Sequence, residues 1–308
     1  MNACAHPHVL VTGASSGIGR ATALRLAASG YHVFAGVRKH TDGAALAEAV
    51  AGPVTPVILD VTDPQQVTSA VSTIAGHVGD AGLAGLVNNA GIGVFGPLEL
   101  IPVEQFRRQL EVNVTGQLAV TQAALPLLRR AHGRIVMIGS IGARFTPPFV
   151  GPLAASKSAL TTMSDAWRQE LAPWDIRVTL VEPGSIRSEA VDKLESDAQA
   201  MLNGTAPDDR ALYESAFLHL VGFFAGMHEK GSSPDVVAQT VERALRAARP
   251  RSCYLSGKNA RRMAIITRLL PVSMQDALRR KLARQPVPGS LSARSGLVAL
   301  KAGTELAL

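Results

Sequence analysis

The sequence has little cysteine and no long uninterrupted apolar run. Two cysteines, Cys4 and Cys253, in 308 residues exclude a disulfide-stapled scaffold and fit a reducing compartment. The longest apolar stretch, Ala216 to Gly226, is broken by His219 and falls far short of the roughly 20 residues a spanning helix needs, so no membrane crossing is expected. The start, MNACAHPHVLVTG, lacks a basic segment followed by a long apolar one, and a cleaved signal is not expected. Charged side chains are sparse at 18%, against 47% hydrophobic, a globular composition that excludes a disordered chain.

Acidic residues run short at one end only. Residues 243–308 carry 14 basic and two acidic side chains, a net charge of +12, whereas residues 1–242 sum to −5. The overall charge of +7 therefore describes a basic C-terminal region, and no general nucleic-acid surface is expected.

Short β-rich runs alternate with helical patterns: HVLVTG, then 17–29, YHVFAGV, then 41–50, PVILDV, then 64–78. The alternation continues through LAGLVNNAG, a helix over about 103–129, GRIVMIGS, a helix over about 152–171, and IRVTLVEPG. Repeated β-α units of this kind predict an α/β fold, a doubly wound parallel sheet of the Rossmann type, with six strands before residue 185 and a seventh in RSCYLSG. Residues 1–257 read as one dinucleotide-binding domain that includes a helix-prone substrate loop at about 188–230. Residues 258–284 read as a basic amphipathic helical extension broken at Pro271, and 285–308 as a flexible tail.

The first strand runs into Thr12-Gly13-Ala14-Ser15-Ser16-Gly17-Ile18-Gly19. Glycines 13, 17 and 19 let the chain turn tightly, approach a pyrophosphate without a Cβ in the way, and open a helix whose N–H groups face the anion. A plain glycine-rich βα turn is the alternative, and position at the first βα junction of a doubly wound pattern favours the nucleotide site.

TGASSGIG is joined in order by Leu59-Asp60-Val61, Asn88-Asn89-Ala90-Gly91, Asn113, Ser140, Lys157 and Pro183-Gly184-Ser185-Ile186. In these motifs and spacings, over about residues 7 to 257, the chain resembles the short-chain dehydrogenase/reductase family. The resemblance implies that Gly13, Ser15, Ser16, Gly17, Ile18 and Gly19 cradle the cofactor phosphates. It implies that Asp60 and Val61 meet the adenine, that Asn89, Ala90 and Gly91 line the ribose, and that Pro183, Gly184, Ile186 and Ser188 flank the nicotinamide. Asp60 as a helix cap and NNAG as a strand-end turn are the plainer alternatives. A cytoplasmic homodimer or homotetramer built on the two long helices is the family-level expectation. The looser likeness to members acting on hydroxysteroids, retinoids and 3-hydroxy acids points to an apolar ketone or secondary alcohol as the small-molecule partner.

After the second strand the chain reads Ala35-Gly36-Val37-Arg38-Lys39. An acid here would accept hydrogen bonds from a ribose 2′-OH, whereas a base pairs with the 2′-phosphate of NADP. The acid is missing and Arg38 is present, so NADP is expected and NAD is the alternative; a solvated Arg-Lys pair would explain the same residues.

Carbonyl reduction or alcohol oxidation needs the cofactor for hydride and the protein for a proton. The resemblance implies that Ser140 bonds the substrate oxygen, that Asn113 and Lys157 serve the proton relay, and that a tyrosine stands four residues before the lysine. That position holds Leu153, in Gly151-Pro152-Leu153-Ala154-Ala155-Ser156-Lys157, and the only tyrosines are Tyr31, Tyr213 and Tyr254. A relay through Lys157, Ser140 or water, a cofactor-binding protein of little turnover, and a substituted residue are the three explanations left open.

No metal is assigned, because His219 and His228 lie nine apart and His6 with His8 lacks further ligands. Phe217, Leu218, Leu220, Val221, Phe223 and Phe224 form either a lipophilic lid or ordinary helix packing. In 258–284, Arg261, Arg262, Arg268, Arg279, Arg280, Lys281 and Arg284 interleave with Met263, Ile265, Ile266, Leu269, Leu270, Leu278 and Leu282. That pattern suits helices that cover the cleft or rest peripherally on an anionic membrane.

Overall fold

A computed structural model describes residues 6–50, 52–187 and 193–290. Seven strands form one wholly parallel sheet in the order β3-β2-β1-β4-β5-β6-β7. They are β1 (His8–Val11), β2 (His32–Val37), β3 (Val54–Ile58), β4 (Gly85–Asn88), β5 (Arg134–Ile138), β6 (Arg177–Pro183) and β7 (Cys253–Ser256). Because the inner strands are buried on both faces, successive residues feed opposite cores. Leu10, Phe34, Leu86, Ile135 and Met137 pack on one side, and Val9, Val11, Val33, Val87 and Val136 on the other.

The first face is covered by α3 (Pro64–Val78), α5 (Gly116–Arg130) and α6 (Gly151–Glu170), which contribute Ile74, Leu128 and Leu160. The second is covered by α1 (Gly17–Ala28), α2 (His40–Glu48) and the helix Pro234–Arg246, through Leu26, Leu46 and Val241. Local chemistry sets the ends of these helices. Asp63 caps α3 by accepting from the Gln65 and Gln66 amides, with Pro64 where its missing N–H costs nothing. Gly79, at φ 51°, ends it.

The helix expected over 103–129 is not continuous. It is divided into α4 (Val103–Leu110), a π turn at Glu111–Thr115, and α5. The physical reason is Asn113, whose side chain leaves the helix to bond the backbone of Ile92, so the ladder takes up an extra residue there. The helix-prone stretch after β6 contains helices Leu194–Asn203 and Pro207–Glu229, and the chain after β7 forms helices Ala260–Leu269 and Val272–Leu282, parted at Pro271. Of the expected tail, residues 291–308 lie outside the described residues.

Candidate active site

The carboxyl ends of β1 and β4 are locked to each other by one hydroxyl. Thr12 Oγ1 accepts from the amides of Asn89 (2.9 Å) and Ala90 (3.0 Å), while Asn89 Nδ2 donates to the carbonyls of Thr12 (2.9 Å) and Gly13 (3.1 Å). A Cβ on Gly19 would lie 2.1 Å from the Gly13 carbonyl oxygen, so this glycine is what lets α1 start hard against the turn. Gly13 and Gly17 take left-handed φ of 63° and 51°. Ser16 stands at the N-cap of α1 without a side-chain cap bond, and Ser15 and Ser16 are exposed, with Ile18 half-buried beside them. The turn thus offers a helix N-terminus, with its unmade N–H bonds, at the sheet's carboxyl edge.

At the neighbouring strand end, Arg38 is exposed and makes no hydrogen bond or ion pair among the described residues. Asp60 accepts from the Thr62 amide (2.9 Å) and hydroxyl (2.7 Å). Burial alone would raise the Asp60 pKa, but these bonds and the positive charges of Arg108 and Arg38 outweigh it and hold the carboxyl below its ordinary value. The cap of α3 is Asp63, so Asp60 is not spent on that task. Val61 is 5% exposed and packs against Gly116 of α5 through both its side chain and its carbonyl.

Behind Gly91 lies a buried amide network. Asn113 Oδ1 accepts from the Ile92 amide (2.8 Å), and its Nδ2 donates to the Ile92 carbonyl (2.9 Å) and to Ser156 Oγ (3.0 Å). Gln109 Nε2 also donates to Ser156 Oγ (3.2 Å), and Gln117 Nε2 donates to the Ala90 carbonyl (2.7 Å). Gln109, Asn113 and Gln117 are fully buried and recur every four residues, so a polar stripe on an otherwise buried helix face was the sequence signal for Gln109 and Gln117. Thr12 and Ser156 carried no such signal, because their partners come from distant strands and helices.

Lys157 is 8% exposed and donates to the Ile138 carbonyl (2.8 Å). Desolvation lowers its pKa to about 8. A methyl placed on Gly91 would lie 3.2 Å from Asn113 Oδ1 and 3.7 Å from Lys157 Nζ, which puts the three residues together. Ser140, half-buried at the end of β5, accepts from the Gly142 amide (3.0 Å), and its own hydrogen is left free to donate.

No tyrosine fills the place of Leu153. Tyr31 is buried in the core, Tyr254 accepts from the Arg251 amide (3.1 Å), and Tyr213 donates to the Glu99 carboxylate. That bond, with burial, pushes the Tyr213 phenol up to about 12. Leu153 itself is half-buried against a cluster that includes Phe149, Leu202, Phe217, Leu220 and Val221. Phe217, Leu220 and Val221 are thus committed to packing, Leu218 and Phe224 flank them, and Phe223 turns outward.

The loop after β6 closes the far side. Ile186 is buried in the core, and a Cβ on Gly184 would meet the Lys258 carbonyl at 2.1 Å, so this glycine serves packing against the chain after β7. Ser188 lies outside the described residues. Beneath Pro183, fully buried Glu182 accepts from Arg144 through both oxygens (2.9 and 2.8 Å), tying the Ser140 loop to β6. Burial first, and then Glu182, pushes the Cys253 thiol up to about 12, which removes it as a nucleophile.

The short chain dehydrogenase family profile matches residues 7–199. Human retinol dehydrogenase 5 is 36% identical over 279 residues, covering 88% of this chain and 86% of that protein. Mouse estradiol 17-beta-dehydrogenase 2 is 33% identical over 296 residues, covering 92% and 77%. Among solved structures, a short chain dehydrogenase from Burkholderia cenocepacia in complex with NADP aligns with a TM-score of 0.65 at 28% identity, covering 90% of this chain and 97% of that one.

Proposed function

The chain belongs to the short chain dehydrogenase family of NAD(P)-dependent oxidoreductases, and on that premise we propose that it interconverts an apolar ketone and a secondary alcohol with NADP(H). Buried Lys157, beside Gly91 and Asn113, is the observation that carries this reading. The residues present fit a dinucleotide. The N-terminus of α1, with Gly13, Ser15, Ser16, Gly17, Ile18 and Gly19, would hold the pyrophosphate, and Asp60 with the Val61 backbone the adenine. Asn89, Ala90, Gly91 and Lys157 would hold the nicotinamide ribose, with Pro183, Gly184, Ile186 and Ser188 bordering the ring. A nicotinamide bound there supplies or accepts the hydride.

The protein's own part is the proton. Ser140 donates its free hydroxyl hydrogen to the substrate oxygen. Lys157, titrating near 8, gives or takes a proton within about one unit of neutral pH, where general acid–base catalysis works best. Asn113 holds the Ile92 backbone and Ser156 in place. The apolar cluster around Leu153, and the steroid- and retinoid-named relatives, support an apolar substrate of steroid, retinoid or acyl character. A panel of such ketones and alcohols with NADPH and NADP tests the reading, and turnover of none of them would count against it. The second reading, a nucleotide-binding or scaffold protein of low turnover, is favoured by Leu153, and tight cofactor binding without any turnover would select it.

Arg38 sets the cofactor preference. Its exposed and unpaired guanidinium suits the 2′-phosphate, and one such charge-assisted pair is worth on the order of 1–3 kcal/mol, or about ten- to a hundredfold. Fluorescence titration is expected to show tighter binding of NADPH than NADH, and Arg38→Ala to erase most of the difference. Equal affinities in the unaltered protein would contradict the assignment.

We also read the helices Ala260–Leu269 and Val272–Leu282 as a peripheral membrane contact. No described helix is long and apolar enough to cross a membrane. Ile265, Leu269, Val272 and Met274 are nevertheless more than half exposed, beside exposed Arg261, Arg262 and Arg268. Leu282 and Ala283 join the cluster that contains Leu153, so the same segment also borders the substrate side. Each cation near an anionic surface contributes about 1 kcal/mol. Sedimentation with phosphatidylserine vesicles is expected to carry the protein down at low salt and to fail for Leu269→Glu; no salt-sensitive binding would remove the membrane contact. Assembly as a homodimer or homotetramer along α5 and α6 completes the reading, and a monomer mass by light scattering would contradict it.

A further inference from the structure

Opposite the cofactor edge, the sheet begins with two histidines side by side. His8 opens β1 and His32 opens β2, and the parallel register pairs them directly, so their side chains leave the same face of the sheet. That face is the one α3 covers, and the last turn of α3 brings His77 onto the pair. Ring centroids stand 5.4 Å apart for His8 and His32, 4.7 Å for His32 and His77, and 5.9 Å for His8 and His77. One nitrogen from each of the three rings lies within 4.8 Å of the others.

We propose that His8, His32 and His77 form a binding site for a borderline transition-metal ion, Zn2+ foremost, at the amino edge of the sheet. Spacing along the chain gave no hint of it, because the ligands are 24 and 45 residues apart and only strand pairing joins them.

Three imidazoles with an open fourth position form a known zinc ligand set. Tetrahedral zinc, about 2.1 Å from each nitrogen, holds the nitrogens about 3.4 Å from one another, so small rotations close the site. His77 is exposed on a helix end and free to make that rotation. His32 Nε2 is bonded to Thr55 Oγ1 (2.8 Å), the kind of partner that fixes ring orientation and leaves the other nitrogen for the ion. The carbonyl end of α3 points its negative dipole at the same place. Phe34 stacks on His32 at 5.0 Å and backs the cluster with an apolar wall.

The test uses the full chain, purified without a histidine tag and stripped with chelator. Calorimetric titration with ZnCl2, and visible spectra with Co2+, are expected to show one saturable site per chain with the intense bands of four-coordinate cobalt. His77→Ala, a surface change, is expected to weaken binding at least about tenfold, and Thr55→Val about 10- to 100-fold, while NADPH affinity stays unchanged as the check on folding. No stoichiometric uptake by the unaltered protein, or equal metal affinity in His77→Ala, would overturn the proposal.

Discussion

Leu153→Tyr is expected to raise turnover by about 10²–10⁴-fold, the range ordinarily contributed by a positioned general acid or base. Leu153 and Lys157 are four residues apart on α6, so their side chains share a face one turn apart. The leucine has no proton to give, and its half-buried site borders an apolar cluster whose flanking residues Phe95, Met201 and Tyr213 are only partly buried, which leaves room for a larger ring to lean toward the cleft. The ammonium of Lys157 would favour the new phenolate and bring its pKa down toward working pH. The gain should therefore depend on pH, and NADPH affinity should hardly move. Single-turnover rates of both proteins across pH, with an apolar ketone, check this. A fast leucine protein that gains nothing from the tyrosine would mean that Ser140 and Lys157 already deliver the proton as well as a tyrosine would.

Lys157→Met is expected to abolish turnover and yet make the protein more heat-stable at neutral pH. Burial holds the Lys157 pKa at about 8, against 10.5 for the free side chain, so below pH 8 the folded state carries a charge it would rather lose. That penalty is about 3 kcal/mol at most. Losing the hydrogen bond to the Ile138 carbonyl offsets about 1 kcal/mol, and the remaining gain corresponds to a Tm higher by about 3 °C. Between pH 8 and 10.5 the folded protein sheds this proton while the unfolded chain keeps it, so stability of the unaltered protein rises with pH and the methionine advantage shrinks. Melting curves at pH 7 and pH 10 decide: a difference that does not narrow, or a variant less stable at pH 7, would show that Lys157 is not strained by burial.

The fold was legible because its signals are local and repeated. Seven β-rich runs, with glycines at 13, 17 and 19 and Pro64 behind Asp63 at helix starts, each declare an element within a window of ten or so residues. Asn113, Ser140 and Lys157 were singled out as candidates in the same way, by motif and spacing. What the sequence hid depends on strand order. Thr12 reaches Asn89 across 77 positions, Asn113 reaches Ser156 across 43, and the His8–His32 pair exists only because β2 lies beside β1. The π turn at Asn113 was hidden for a related reason, since helical periodicity on both sides of it reads as one helix until the side chain's target at Ile92 is known. Arg144, four residues past Ser140, carries no signal in the sequence, and only its pairing with buried Glu182 reveals its place.

The proposed reaction is hydride exchange between NADP(H) and an apolar carbonyl beside Lys157. The direct measurement mixes excess protein with NADPH deuterated at nicotinamide C4 and a steroid or retinoid ketone or aldehyde, then locates the label in the product by mass spectrometry. The account predicts slow but stoichiometric appearance of deuterium on the carbinol carbon, lost in Lys157→Met and accelerated in Leu153→Tyr. Saturated NADPH binding with no label transferred by any of the three proteins would contradict it.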